Sequence, residues 1–420
     1  MQDTLEVWNK YLKHNDHKNK IIKQTKHAHF RSQMHELSDA SKSIRCFAKC
    51  IRIESQLFKK LSQFSSLKWD DTDHMITTFE EKIEMLQEKF FSSFSQADVS
   101  DISNSFISLT VSSDSRISEN EMKWAIKWVK MNKASDISEI SNRALQADLT
   151  ELISVLTSLF NACVIHKYHS KQFKKTQTIV LCKSRKSDYI DLKTYRLIAL
   201  LDIISKALES IMIKRLSDII ETHHMLSNAQ MRTRHKRFMI SILDLLVDQV
   251  HIMWDCKIKY VIFMLSLNII EAFNQVLHIR LLHTLKMRRT SSYIVEWACS
   301  FLKNRETSLI FNEQMSTMCK INANISQESF ISLIFFLFFN ASLIEKCKAL
   351  KIKIEVLNFI NDINILVHDR FIEEICKTLS KTYNVCVKWT WTHDTTFTSE
   401  KYELTHFTRK LRKFNMTTSI

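Results

Sequence analysis

A chain of 420 residues without one glycine or proline has lost the two residues that most backbones use to turn. Average usage would put on the order of fifty of them in a chain this long. Glycine supplies positive φ and close backbone approach, and proline fixes φ and stops helices, so their loss removes most of the punctuation by which turns are read. The rest of the composition, 45% hydrophobic and 25% charged, is that of a globular protein. The length suffices for two to three domains with cores of their own, which argues against disorder throughout.

The net charge of +15 favours an anionic partner, nucleic acid being the usual one. A basic surface kept for solubility is the plainer alternative. The ten cysteines form no CxxC pair, and the first twenty residues are polar, without a secretory signal, so the expectation is a reduced, intracellular protein of the nucleus or cytoplasm. Cys46 and Cys50, with His27 and His29 upstream, match no common zinc module. The longest apolar run, Phe330 to Ile344, is shorter than the roughly 18 to 20 residues that span a bilayer and contains Asn340. It reads as a buried core helix, and stable membrane association is not expected.

Along the chain, the first hundred or so residues read as helical and basic. Thr78 and Glu81 make a capping-box pair, after which Phe79, Ile83, Leu86 and Phe90 share one helical face. Ser118 and Glu121 make a second box, opening a helix with Met122, Ala125, Ile126 and Val129 inward; Trp124 and Trp128 are read as packing rather than stacking bases. The serine-rich stretch between the two helices is the linker candidate. From Thr178 to Leu201 two apolar runs flank a basic loop, which resembles a hairpin with a cationic tip. Lys183, Arg185 and Lys186 either reach phosphate from it or form a solvated charge run. A long amphipathic helix from Ile203 to Ile220 follows, with Lys214 and Arg215 on its polar side. Segments 260–276, 321–336 and 354–369 then alternate with helices, the first and third carrying strand-like runs that end at acids or amides. The last includes NFINDINIL, residues 358–366, which reads as strand, tight turn and strand, with one acid where metal chemistry would want two. An α+β arrangement follows.

These segments resemble a reverse transcriptase of the non-LTR, LINE-like retrotransposon class. That family's Asp-x-x-x-Ala-Phe block stands here as Asn268-Ile269-Ile270-Glu271-Ala272-Phe273, its Gln-containing loop as Ile325-Ser326-Gln327-Glu328-Ser329-Phe330, and its Phe/Tyr-x-Asp-Asp turn as Phe359-Ile360-Asn361-Asp362. TYRLIALL at 194–201 resembles the Tyr-Arg-Pro-Ile block, NKASDISEISNRAL at 132–145 the block opening the fingers, and FTSEKYELTHF at 397–407 the segment holding the palm lysine. Six motifs in order over residues 120 to 410 carry the likeness. The departures run one way: Pro has become Ser, Leu or Phe, Gly has become Glu, Asn, Asp or Arg, and Asp has become Asn. In codons these are C-to-T and G-to-A transitions, a pattern resembling a degenerate transposon copy.

The resemblance implies right-hand polymerase fingers and palm preceded by a helical N-terminal region. The implied divisions are 1–115 for the basic N-terminal region and linker, 116–255 for the fingers, 256–410 for the palm with the start of a thumb, and 411–420 for a tail. With no endonuclease before it and no RNase H after it, the chain reads as a fragment of the element's second reading frame. RNA template, DNA primer and dNTPs are the implied partners, and Mg²⁺ the implied cofactor. The implied metal and catalytic positions are Asn268, Asn361 and Asp362, with Lys401 as the lysine that protonates pyrophosphate. Phe273 matches the gate against a ribose 2′-hydroxyl, Gln327 the residue that positions template and nucleotide, and Lys183 and Arg196 basic groups facing triphosphate. For Phe273 a core aromatic, and for Arg196 and Lys401 a surface charge, remain open readings. Because two of three carboxylate positions are amides, the expectation is an impaired polymerase, the alternative being a non-catalytic RNA-binding remnant.

Overall fold

The computed structural model describes residues 66–68, 75–91, 99–102, 110–111, 114–129, 138, 142–183, 188–232, 234, 239–256, 260–312, 314–321, 325–326, 328–350 and 354–407. They fall in one unit, Phe64–Ile420. The zinc candidates at 27–50, Arg185, Lys186, Gln327 and the tail at 411–420 lie outside the described residues, as do most of 1–115 and of the block at 132–145.

Two short strands, β1 (Leu67–Lys68) and β2 (Met75–Ile76), pair antiparallel ahead of α1 (Phe79–Phe91). Of the two expected capping boxes, the second forms in full and the first in half, since Glu81 accepts from the Thr78 hydroxyl rather than from its backbone N–H. Thr78 Oγ1 accepts from Glu81 N at 3.4 Å, and Ser118 opens α2 (Glu119–Trp128) with the reciprocal bonds to Glu121. The Thr78 hydroxyl satisfies one donor that a helix start otherwise leaves orphaned, and the Ser118–Glu121 box satisfies two. Met122, Ala125, Ile126 and Val129 point inward as their spacing predicts, but Trp124 and Trp128 do not: they lie on the exposed face. The core side of α2 is filled by smaller residues at i, i+3 and i+4, which turns the two rings outward.

Helices α3 (Asn142–Ala147) and α4 (Leu149–Ile165) lead into β3 (Lys175–Cys182), which pairs antiparallel with β4 (Tyr195–Leu200) as the expected hairpin. Asp202 then caps α5 (Ile203–Thr222), accepting from Ser205 N at 2.7 Å. Lys214 is exposed, whereas Arg215 is not on an open polar side. Its guanidinium binds Glu121 at 2.9 Å and the carbonyls of Asp114, Ser115 and Arg116, tying α2 to α5.

The remaining elements are β5 (Gln230–Met231), α6 (Met239–Asp255), β6 (Val261–Asn268), α7 (His278–Met287), α8 (Ser292–Leu302), β7 (Arg305–Phe311), β8 (Gln314–Met315), β9 (Cys319–Ile321), α9 (Phe330–Ala349), β10 (Ile354–Phe359), β11 (Asp362–Asp369), α10 (Ile372–His393) and β12 (Glu403–Phe407). They complete a mixed α/β fold with two five-stranded sheets. One has the order β12-β6-β11-β10-β5, and the other runs β4-β3-β7-β8 with β9 also on β7. The long apolar run is α9, buried on every side against α5, α7, α10 and β10. It is long and apolar enough to cross a membrane, yet 72% of its apolar window is buried inside the fold, which is how a core helix behaves.

Candidate active site

The β10–β11 hairpin turns through Ile360 and Asn361, with Phe359 paired to Asp362. Ile360 has φ of 62°, the left-handed conformation that such two-residue turns ordinarily give to glycine. A β-branched residue there is costly, and buried amides hold the turn in place. Asn358 Nδ2 donates to Ile360 O at 2.9 Å and to Asp362 O at 3.3 Å, and Asn340 Nδ2, from α9, donates to Ile360 O at 3.0 Å. Asn340 Oδ1 in turn accepts from Gln230 Nε2 at 2.8 Å. All three amides are fully buried. Sequence reasoning missed this network, although a lone Asn in the Phe-rich run was its signal.

Strand β6 lies against β11 in a register that sets Asn268 opposite Asp362. The end of β6 is stapled on two sides: Ile269 N donates to Asn361 O at 3.0 Å, and Thr398 N donates to Asn268 O at 2.9 Å. Asn268 Oδ1 accepts from the Thr398 hydroxyl at 3.4 Å, while its Nδ2 donates to Asp362 Oδ1. The hydrogen-bond network therefore fixes the amide with its donor, not its oxygen, toward the carboxylate. Asn361 is half-buried and Asp362 exposed. Lys401 is exposed in the short turn Ser399–Lys401 between Thr398 and β12, which pairs with β6 from Ser266 backward.

Glu271, in the turn after β6, has φ of 42°. Phe273 is half-buried and meets Phe336 of α9 with ring centroids 5.4 Å apart. Its carbonyl accepts from Ile325 N at 2.9 Å, which ties the loop before α9 to this corner. On the other side of that loop Ser329 Oγ donates to Glu209 Oε2 at 2.5 Å. Glu209, in the middle of α5, is fully buried; burial pushes its carboxyl up, against the bonds from Ser329 and Ser205 and the field of buried Arg305. A glutamate amid apolar residues of α5 gave no local sign of this role. Thus Asn268, Asn361 and Asp362 gather at one end of the central strands of the sheet, with Phe273 and Lys401 on adjoining segments. Lys183 and Arg196 belong to the other sheet: Arg196 is exposed on β4, opposite Leu181, and Lys183 Nζ donates to Lys193 O at 2.6 Å.

Residues 183–417, more than half of the chain, match the family described as reverse transcriptase (RNA-dependent DNA polymerase). The chain belongs to the reverse transcriptase family. It is also 27% identical over 239 residues to a Drosophila melanogaster protein described as a probable RNA-directed DNA polymerase from transposon X-element. That similarity covers 57% of this chain and 26% of the relative, so the chain corresponds to about a quarter of that protein's length. Reverse transcriptases typically use Mg²⁺, and hard dications seek anionic oxygen. Among the described residues no group of three His, Cys, Asp or Glu side chains gathers to hold a metal ion. The Asn268, Asn361 and Asp362 set offers one carboxylate, already accepting from an amide, and does not fit a pair of dications.

Proposed function

We propose that the chain is the polymerase domain of a non-LTR retrotransposon that still engages primer and template but transfers nucleotides poorly or not at all. The sheet carrying β6, β10 and β11 is the palm, and the sheet carrying β3 and β4 with the helices around it is the fingers; because the second sheet also holds β7, β8 and β9 and the first also holds β5, the strands cross the expected division at residue 255 in both directions. The region up to 115 precedes the fingers in sequence, but its strands and α1 share a core with the fingers sheet through Leu67, Ile76, Leu86, Val180 and Leu309; 411–420 is a tail. Phe273 acts as the gate against a ribose 2′-hydroxyl, Gln327 positions template and incoming nucleotide, Lys183 and Arg196 meet triphosphate charge, and Lys401 protonates the leaving pyrophosphate.

The observation that carries this reading is the Asn268 amide donating into Asp362. Nucleotidyl transfer at such sites depends on two dications held by carboxylates. Here a neutral donor occupies the place of one of those carboxylates, so the pair of ions loses its shared ligands. Binding of nucleic acid needs none of this, because it follows from cationic surface, and the chain has a net charge of +15. The alternative of a purely RNA-binding remnant differs only in how completely the transfer step is lost.

Fluorescence anisotropy with a labelled RNA template and DNA primer tests the binding half. Affinity is expected to fall at least about tenfold between about 50 mM and about 200 mM salt, with little dependence on Mg²⁺. Folded protein that fails to bind at low salt contradicts the reading.

A further inference from the structure

The exposed face of α2 carries a feature that the transfer site does not use. Trp124 and Trp128 are 36% and 46% exposed, and their rings stack with centroids 6.0 Å apart and planes at 23°. The opposite face of the helix holds Met122, Ala125 and Ile126 in the core, so neither ring is needed to anchor α2. Exposed Lys123 and Lys127 flank the rings, and Lys214 of α5 sets its Nζ 5.0 Å from the Trp124 ring centroid. Of the nearby acids, Glu121 is engaged by Arg215, and Glu119 stands 4.0 Å from Lys123 in an exposed pair of little strength. Three lysines thus stand beside the rings, and Glu328, two positions before Phe330, is half-buried. Trp128 also meets Phe330 edge-on at 4.8 Å, and Phe330 is the first residue of α9, three positions after Gln327.

Large exposed aromatic rings on a soluble fold mark contact surfaces, and the lysines around these select an anionic partner with flat faces. Single-stranded nucleic acid offers both: its unstacked bases lie on aromatic rings and its phosphates meet ammonium groups. A duplex keeps its base faces covered and offers only phosphate. We propose that Trp124 and Trp128, with Lys123, Lys127 and Lys214, form a stacking platform for a single-stranded stretch of RNA, beside the first turn of α9. The proposal deepens the nucleic-acid reading above and rests on it.

The test uses the full chain, a short oligouridylate and a blunt RNA duplex, followed by anisotropy and by intrinsic tryptophan fluorescence. The oligouridylate should quench the fluorescence of the unmodified protein. Trp124→Ala with Trp128→Ala should lose part of that quenching and bind oligouridylate about tenfold or more weakly, as stacking of about 1 to 3 kcal/mol per base requires. Trp124→Phe with Trp128→Phe should keep most of the affinity, Lys214→Gln should weaken binding modestly, and duplex affinity should stay unchanged throughout. If the alanine variant, with an unchanged circular dichroism spectrum, binds oligouridylate like the unmodified protein, the platform is overturned while the nucleic-acid reading stands. Should that variant misfold, absence of quenching in the unmodified protein, or unchanged affinity in Lys214→Gln together with full loss in the phenylalanine variant, overturns it instead. No binding of either RNA at low salt overturns both.

Discussion

At the scale of single residues, the backbone keeps shapes that glycine ordinarily takes. Nine residues among those described have positive φ, and six of them, Arg232, Glu271, Arg289, Asn304, Asn312 and Asp394, are Glu, Asn, Asp or Arg. These are the residue types to which the one-way substitution pattern turns glycine. A side chain with a Cβ in the left-handed region costs about 1 to 2 kcal/mol, less for Asn and Asp. Glu271→Gly and Arg289→Gly should therefore each stabilise the protein by about 0.5 to 1 kcal/mol after the entropy that glycine adds to the unfolded chain. Urea unfolding reads this directly, and a neutral or destabilising result in both would show that the local shape is not strained. Titration supplies a second expectation. Burial holds His393 down to about 3, helped by Arg280 and Lys346 and opposed by its bond to the Trp389 carbonyl and by Asp101. Burial, with Arg305 and Lys174, also holds His169 well below the usual histidine range. A folded value below the unfolded one means that the unfolded chain takes up the proton first. For His393 the contribution is thus complete above about pH 6.5 and is lost as pH falls toward about 3, at about 1.4 kcal/mol per pH unit. Urea midpoints for His393→Phe should fall less steeply over that window than those of the unmodified chain, and equal slopes would contradict it.

At the scale of elements, what was legible had a local chemical signature. The two capping boxes announced α1 and α2, the apolar runs around 178–201 announced the β3–β4 hairpin, and NFINDINIL announced β10, its turn and β11. The sheets themselves were not legible, because the parallel pairings of β3 with β7 and of β10 with the two-residue β5 join distant segments through backbone bonds that leave no local pattern. Trp124 and Trp128 pack on one another, and Trp128 on Phe330, but outside the core, because smaller residues already fill the inner face of α2 and nothing local reveals that. The supports of the site were equally hidden. Asn358, Asn340 and Gln230 act through long-range bonds, as does Glu209 on Ser329. Asn358→Ala would remove one of the two amide donors to Ile360 O, the donor to Asp362 O and one acceptor of the Asn340 amide, and should cost about 1 kcal/mol or more. Denaturant unfolding at unchanged slope measures that loss, and an unchanged midpoint would mean that the turn does not depend on the network.

At the scale of the whole molecule, membership of the reverse transcriptase family was legible from the order of six motifs, since order survives substitutions that erase individual signatures. The motifs that carry Asn268, Asn361 and Asp362 were legible for the same reason, and the register of β6 against β11 brings their segments together. What no motif could supply was the direction of the Asn268 amide, which depends on Thr398 from a segment 130 residues away. The central claim is that this chain keeps the frame of a polymerase and has lost the charge at its metal site. Replacing two carboxylates by amides of nearly equal size leaves an electrostatic defect rather than a steric one. Primer extension with Mg²⁺ on an RNA template tests it most directly, comparing the unmodified protein, Asn268→Asp, Asn361→Asp, the double change and an Asp362→Ala control. The unmodified protein should extend no more than the control, and the double change should exceed either single change, because both ions need the shared ligands. Robust Mg²⁺-dependent extension by the unmodified protein, abolished by Asp362→Ala, would contradict the account.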